Sequence, residues 1–534
     1  MDFACSPYYG QYKEPEELNR LTATPDHIVK EAWNFFENNG ARCKAFWSHL
    51  ECRATTEDIE NMFNAEIHDF EHKLSGGVIS RIHGYFTFPE QLEGKVEFIA
   101  GLTEFPEDRF GRSRPYVDAS SYTVVPETLQ KVYNTDAGKG SEKTTQAAAE
   151  FQGYPAISSD DLNTFIQKTG IDKFSLEKKI GPFNPSYPGA ESTLDVQYLG
   201  AVGHGNANWY WTEKQWMYQF TQDALKKSRS DLPDVISMSY GWSETQQCTI
   251  APGADPCQNG GGSKNFVNKV NTNFQKIGAS GVTLLAASGD AGAHGRSDSN
   301  CQSGKTHPGF PASSPYVTAV GATMFENVQT GGSSPICSEK SCAVGGDEVV
   351  CTSKNGAALI TSGGGFSEYA DMPSYQKDAV QNYLSKSGVA PPDSDFNKNG
   401  RGYPDVAAVG HAYYIELNGQ EQQVDGTSAS CPVFAGVIGL LNAHRVENGG
   451  SKIGFANKLL YKIHKEHPKA FNDVTSGNNK CTEGQCCDTG FSAAEGWDAT
   501  TGLGTPNVKE MLSAIDTIDG RAPSYAKTLR GDQF

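Results

Sequence analysis

The chain has 534 residues, and its 45 Lys and Arg stand against 63 Asp and Glu for a formal charge of −18. No basic run stands out that would track a phosphate backbone or an anionic membrane, which argues against nucleic acid and membranes as partners. The longest strongly apolar stretch, Cys431 to Leu441, is too short to span a bilayer and reads as a core helix, and the length suggests two or three structural units.

Met1 is followed by DFACSPYYGQYKEPEE, which has no apolar core of the signal-peptide type, so a leader is expected to have been trimmed or to lie upstream. Residues 1 to about 105 mix a helical segment, DHIVKEAWNFFENNG, with short alternating ones, AFWSHLEC and GYFTFPE. They end in TEFPEDRFGRSRPYVDASSY, which is polar and has little to bury. Residues 106–122 are therefore expected to be an exposed linker open to a protease. Beyond it, DVISMSYG, VTLLAASGD and SPYVTAVGAT read as buried strands. FVNKVNTNFQKIGASG reads as a helix, with apolar residues at 266, 270, 274 and 277 and a closing glycine. This alternation predicts an α/β fold with a mostly parallel sheet and helices on both faces.

Thirteen cysteines, among them Cys248, Cys257, Cys337, Cys342, Cys351, Cys481 and Cys486 in Gly/Asn/Ser-rich stretches, read as loop staples made in an oxidising compartment. The odd count leaves at least one thiol free, and Cys431 inside the apolar helix is the candidate. The sequence holds no Asn-x-Ser/Thr glycosylation site with x other than Pro, which weakens the secretory reading without reversing it.

In VDGTSASCPVFAGVIGLL, Ser428 precedes an apolar helix, at whose N-terminus free N–H groups and the helix dipole favour a developing oxyanion. Ser428 or Ser430 as a simple cap is the other reading. A nucleophilic serine needs a base, and GHGNAN at His204 lacks the second histidine of a subtilisin-type motif. In GAESTLDVQYLGAV, Glu191 and Asp195 lie four apart on a stripe continued by Tyr198 and Leu199. If buried, the pair repels and one carboxyl keeps its proton to higher pH, as suits a base to serine in acid; if exposed, it is a solvated acidic face. Asp290 ends the strand of LLAASGDAGAHG at a Gly-rich turn. It is either a turn residue or a protonated acid able to donate to an oxyanion.

Taken together these segments resemble the sedolisins, the serine-carboxyl peptidases, and most closely their lysosomal tripeptidyl-peptidase branch. SPYYGQY and GYFTFPEQLEGKVEFIAGLTEFP look like the prosegment; ESTLDVQYL, SYGWSE, ASGDAGA, FPASSPYVTAVGAT, GGGFSEY, YPDVAAVG, GTSASCPVFAG and DVTSGNN with GWDATTGLGTPN follow in the family's order. The resemblance implies a subtilisin-like peptidase domain over 123–517, a smaller α+β prodomain over 1–105 that covers the cleft as an intramolecular inhibitor, and a tail over 518–534. It implies Ser428 as nucleophile, Glu191 as general base, Asp195 as the group that orients and tunes it, and Asp290 as the oxyanion-stabilising acid. One calcium ion is implied, with carboxylates from Asp473 and Asp498 and main-chain carbonyls from Val474, Ala494 and Gly496, an all-oxygen shell suited to a hard cation. Cleavage in acid is expected near Arg109, Arg112 and Arg114, and Cys43 and Cys52 are close enough in sequence for a hairpin disulfide. The substrates implied are peptides and proteins, in a lysosome or another acidic compartment or outside the cell.

The chain departs from the family's pattern at Ala494, where relatives commonly have glycine, and at Asp425, which puts an extra negative charge before the nucleophile and bears on the pH profile. Release of tripeptides from free N-termini and internal cleavage both fit the family. A subtilase using His204 or His294, and a non-catalytic peptide-binding or inhibitory relative, are the competing readings.

Overall fold

The computed structural model describes residues 10–71, 78–97, 99–103, 112–115, 121–151, 156–183, 188–213, 215–248 and 262–521. Arg109, Cys257, most of the Gly-rich stretch 258–263 and nearly all of the expected tail fall outside them.

The N-terminal part builds helices Pro15–Leu21, Asp26–Asn38 and Thr56–Phe63 and two hairpins, Arg42–Ala45 with Leu50–Arg53 and Glu66–Glu71 with Val78–His83. Its core is small: Ala32 and Phe36 on one face of the second helix meet Phe63, Phe88 and Leu92. Cys43 and Cys52 face each other across the first hairpin and form the expected disulfide. GYFTFPE is not a strand; its backbone is irregular and is held by Thr87 N donating to Phe63 O at 2.6 Å.

The larger part is organised on an eight-stranded sheet of β1 (Thr145–Glu150), β2 (Leu176–Ile180), β3 (Ala207–Thr212), β4 (Val235–Met238), β5 (Thr283–Ala287), β6 (Thr318–Thr330), β7 (Ala343–Val350) and β8 (Val406–Val409). The order is β7-β6-β5-β4-β1-β3-β2, with β8 beside the first half of β6, and every pairing is parallel except β6 with β7. A hairpin of β9 (Tyr413–Leu417) and β10 (Gln420–Asp425) leads into the serine helix. Four helices matter for the site: α1 (Ala190–Val202), α2 (Met217–Leu225), α3 (Gly262–Ala279) and α4 (Thr427–Glu447).

Strands that read as apolar runs are buried on both faces, because the pleat sends neighbouring side chains to opposite cores. Ala148, Tyr210, Val235 and Leu285 join the core under α1 and α4, while Ala149, Trp211, Ile236 and Leu284 join the one under α2 and α3. The expected helices on both faces are thus present.

Two further expectations are corrected. Arg112–Pro115, within the stretch read as a linker, is a strand paired antiparallel with β10, and Tyr122 at its end is buried with its hydroxyl accepting from Phe325 N at 3.0 Å. An extended chain passing the edge of β10 satisfies backbone groups that would otherwise face water. Cys351 is no staple: it is a buried free thiol packed among Ala322, Val349, Ala358 and Ile360, alongside the expected free Cys431. The last helix, Val508–Ile518, closes the described part of the peptidase domain. Described disulfides join Cys301–Cys487, Cys337–Cys342 and Cys481–Cys486, and Cys248 is also bonded.

Helix α4 lies against α1 at Gly436, where an added Cβ would come within 2.8 Å of Gly203 N and Val202 Cβ. Backbone cannot yield as a flexible side chain does, so overpacking there is resisted. Gly436→Ala is expected to lower stability by about 1–3 kcal/mol and to reduce activity by separating the two helices; denaturant unfolding and peptidase assays check both effects.

Candidate active site

The N-terminal turns of α1 and α4 meet at the carboxyl ends of the strands, the usual place for function in an open α/β sheet. Glu191 opens α1 and Asp195 lies one turn on, with exposures of 5% and 0%. Every residue from Glu191 to Val202 is buried, so the solvated acidic face is excluded.

Ser428 is the second residue of α4, after Gly426 at the N-cap, and no side chain of that cap serves the helix end. The Ser430 hydroxyl donates instead to Ala408 O at 2.9 Å and Val409 O at 3.1 Å. Neither serine is a cap. The helix end is served from the β5 turn: Asp290 Oδ1 accepts from Thr427 N at 2.8 Å and Thr427 Oγ1 at 2.7 Å. Asp290 Oδ2 accepts from Arg296 Nη2 at 3.2 Å.

A further acid, missed in the sequence, completes the cluster. Glu150 ends β1, fully buried, and accepts a hydrogen bond at 2.7 Å from the Tyr240 hydroxyl. Asp195 is close enough for the two carboxyls to interact, and Glu150 Oε1 and Asp195 Oδ2 are both buried with no hydrogen-bond partner. Two carboxyl oxygens attract only with a proton between them. Asp195 Oδ1 accepts from Ser239 Oγ at 2.9 Å, and Glu191 acts on Asp195 as a neighbouring charge. Glu191 Oε1 and Ser428 Oγ are also buried without a partner, although the serine is near enough to favour the Glu191 carboxylate. Such contacts are often long without substrate and tighten when it binds. The signal for Glu150 was the one that drew attention to Asp290, an acid ending a small-residue strand, here in TQAAAEF.

Burial drives the electrostatics. It pushes Glu191 well above the usual carboxylate range, with the charges of Glu150 and Asp290 adding to the effect and Arg296 opposing it. Asp195 is raised in the same way, by burial and then by Glu150 and Glu191. Glu150 goes up to about 7, chiefly through burial. Glu150 and Asp195 therefore hold a proton that exposed carboxyls would lose, and Glu191 ionises at higher pH than an exposed glutamate.

Asp425 does not leave a bare charge beside Ser428. Burial pulls its pKa up, but His411 Nδ1 at 2.9 Å and the N–H groups of Ala412 and Leu359, each at 2.8 Å, bring it below the ordinary value. His294 is held by Asp298 at 2.9 Å and Thr489 O at 3.2 Å, and His204 Nδ1 lies 3.3 Å from Val202 O. Neither histidine bonds the unpartnered Ser428 hydroxyl. A cavity of about 120 Å³ beside Asp290 is walled by Trp242, Phe310 and Tyr403 and edged by Arg296 and His307.

The residues expected to bind calcium come together in one loop region. Asp473 Oδ2 accepts from Gly496 N at 2.8 Å, and Asp498 Oδ2 from Ala494 N at 3.2 Å. Burial raises both carboxyls, Asp498 to about 6. Among the described residues no cluster of three or more His, Cys, Asp or Glu is arranged for a metal. An ion here would thus depend on backbone carbonyls, as at Val474, for much of its shell.

Comparison with known proteins gives two family matches, a pro-kumamolisin activation domain over residues 4–105 and the subtilase family over 204–451. Physarolisin of Physarum polycephalum is 40% identical over 524 residues, covering 96% of this chain and 89% of that one. Tripeptidyl-peptidase 1 of Mus musculus is 33% identical over 538 residues and that of Homo sapiens 32% over 541, each covering 96% of this chain and 87% of the relative. Pseudomonas sedolisin, a serine-carboxyl proteinase solved with two molecules of pseudo-iodotyrostatin, superposes with a TM-score of 0.56 at 23% identity, over 74% of this chain and 99% of that one.

Proposed function

This chain belongs to the sedolisin family of serine peptidases, and from that premise we propose that it cleaves peptides in acid through an acyl-enzyme on Ser428, releasing tripeptides from free N-termini. The observation that carries the reading is the convergence of the unpartnered Ser428 hydroxyl with the unpartnered oxygen of Glu191 in a nest of buried acids. Glu191 takes the proton as Ser428 Oγ attacks the scissile carbonyl, then returns it to the leaving amine; water reverses the sequence to free the acid. Asp195 and Glu150, sharing a proton, hold the field around Glu191. Asp290 is the acid that stabilises the oxyanion beside the N-terminus of α4. Tripeptide release rests on the relatives that bear that name. Among the described residues no helix is long and apolar enough to cross a membrane, and the chemistry suits an acidic compartment or acidic surroundings outside the cell.

Residues up to about 105 act as an inhibitory prodomain, and the interface carries an acid-sensitive element. Lys226 pairs closely with Glu51, Lys269 lies 3.3 Å from Glu97, and Arg81 Nη2 3.2 Å from Gln215. Between these contacts His49 stacks on Phe46 at 4.8 Å and meets the edge of Tyr218 of α2, with neither ring nitrogen hydrogen-bonded and Glu51 3.8 Å away. Burial, then the charges of Lys226, Lys276 and Lys269, hold the imidazole down at about 3. A released prodomain binds a proton below its ordinary value of 6.5 whereas the docked one does not until about 3. Docking is therefore fully favoured above 6.5 and weakens as pH falls, by about 300-fold at pH 4.

The calcium loop fits a divalent ion: the buried Asp498 carboxyl and the more exposed one of Asp473, in a shell of oxygens, are what a hard cation would neutralise. When bound, calcium would tie the Asp473 and Asp498 loops together; the residues themselves set the loop through the Gly496 and Ala494 N–H bonds.

The primary test digests a peptide with a free N-terminus and its N-acetylated twin at about pH 4 with calcium, with Ser428→Ala and Glu191→Gln alongside. Successive three-residue losses from the free peptide alone, absent in both variants, are expected. Internal cuts in both peptides would keep the serine-carboxyl chemistry and replace exopeptidase with endopeptidase; activity in Glu191→Gln would overturn the proposed base. His49→Phe, which keeps the stack but cannot charge, is expected to lower the pH of prodomain loss, and unchanged activation would remove His49 from the trigger. Because the raised Asp498 penalises the empty folded state above about pH 6, calcium chelation is expected to lower Tm more at pH 7 than at pH 4; no shift at either pH would refute the site.

A further inference from the structure

We propose that residues 10–22 are a strap whose Tyr12 occupies a notch in the peptidase domain remote from Ser428, a second attachment that keeps the prodomain bound after the connecting chain is cut; this rests on the prodomain reading given above. The Tyr12 ring lies against two glycines. A Cβ at Gly281 would come within 2.6 Å of its Cδ2, and one at Gly454 within 2.7 Å of its Cε1. Both glycines have positive φ, +90° and +63°, so a side chain at either would meet the ring and strain the backbone. The Tyr12 hydroxyl donates to Lys452 O at 2.7 Å.

The residues after Tyr12 hold the same end of the molecule. Lys13 N donates to Ala279 O, the last carbonyl of α3, at 3.3 Å, and Glu14 Oε2 accepts from Arg229 N at 3.0 Å. In the helix Pro15–Leu21 the buried Asn19 donates through Nδ2 to Leu225 O, the last carbonyl of α2, at 3.0 Å.

The notch is built by the peptidase domain itself. Arg229 Nη2 donates to Gly281 O at 3.1 Å, Arg229 and Lys452 both pair with Asp234, and Thr283 Oγ1 donates to Gly454 O. These bonds do not involve the strap, so the two glycines are held in place whether or not Tyr12 lies between them. A site formed in advance spares the cost of ordering it on binding. Gly281 stands just before β5, at its amino end, and Gly454 lies beyond the last residue of α4, whereas Ser428 is at that helix's start. The 21 residues of α4 span about 30 Å. The strap is also separate from the contacts around His49, where Lys226 meets Glu51 and Lys269 meets Glu97.

A folded prodomain held at two places behaves as a bivalent ligand. When one contact opens, the other keeps it at high local concentration, which raises retention by about 10²- to 10⁴-fold over a single attachment. Cutting the chain removes the covalent tie and leaves both surfaces engaged, so cleavage and release become separate events.

The experiment follows full-length protein at pH 4, reading chain cleavage on denaturing gels and prodomain release by size exclusion, for wild type, Tyr12→Phe and Tyr12→Ala. Release is expected to lag behind cleavage in the wild type and to be at least tenfold faster in Tyr12→Ala, with the cleavage rate unchanged. Tyr12→Phe, which keeps the ring and loses the bond to Lys452 O, falls between them. Release at the wild-type rate in Tyr12→Ala, or coincident cleavage and release in the wild type, overturns the strap. Should Tyr12→Ala fail to fold, an N-acetylated peptide of residues 10–22 added in excess to cleaved wild type decides. It is expected to speed release by competing for the notch while leaving kcat/KM of the released enzyme unchanged; no acceleration, or a fall in kcat/KM that places the peptide in the cleft, overturns the proposal. Full activity before any cleavage would overturn the inhibitory reading of the prodomain instead, and the release rates would still judge the strap.

Discussion

The approach of α4 to α1 at Gly436 holds the rest of the site in place. With no side chain there, the backbone of Gly203 and the Val202 side chain pack directly against the serine helix, and the N-terminal turns carrying Glu191 and Ser428 come together at the sheet edge. Both helices press on the same core, Ala148, Val235 and Leu285 below and Leu199, Val433 and Val437 between. The separation of base and nucleophile is thus fixed by a well-packed interior, which transmits strain instead of absorbing it.

The buried acids divide by how they are compensated. Asp405 meets Arg401 at 2.5 Å, Ala319 N at 2.8 Å and Tyr461 Oη at 3.1 Å; Asp234 meets Arg229 at 2.5 Å and Lys452 at 2.6 Å. These are structural pairs, favourable once made and costly to break. Glu150, Asp195 and Glu191 have hydroxyl neighbours, each other, and oxygens with no ordinary donor. Leaving such groups uncompensated destabilises the fold, and it persists where chemistry uses it. Protons are the natural counter-ion for this cluster, which ties the fold itself to acid.

The same logic runs outward. His49 is neutral when docked for the reason Asp195 and Glu150 hold a proton, burial acting on the charged form, but the sign is reversed because the imidazole gains charge in acid. One fall in pH therefore loosens the prodomain and readies the acids beneath it. Arg296 lies between Asp290 and Glu483, 3.2 Å from the first and 2.8 Å from the second.

Much of this was legible in the chain. Apolar runs such as DVISM and TLLAA specified buried strands because a strand covered on both faces has no polar side to show, and the four-residue step from Glu191 to Asp195 put both on one helical face. The prodomain hairpin and its disulfide followed from local spacing. What the chain alone did not give was Glu150, a lone acid among alanines whose partners Tyr240 and Asp195 are 90 and 45 residues away. Nor did it give the pairing of Arg296 with Glu483, 187 positions apart, the strand that the presumed linker adds to β10, or the hydrogen bond between His411 and Asp425. Local patterns carry helix, strand and burial because periodicity acts over a few residues. Charge compensation is decided only when packing brings distant groups within a few ångströms in a medium from which water is excluded.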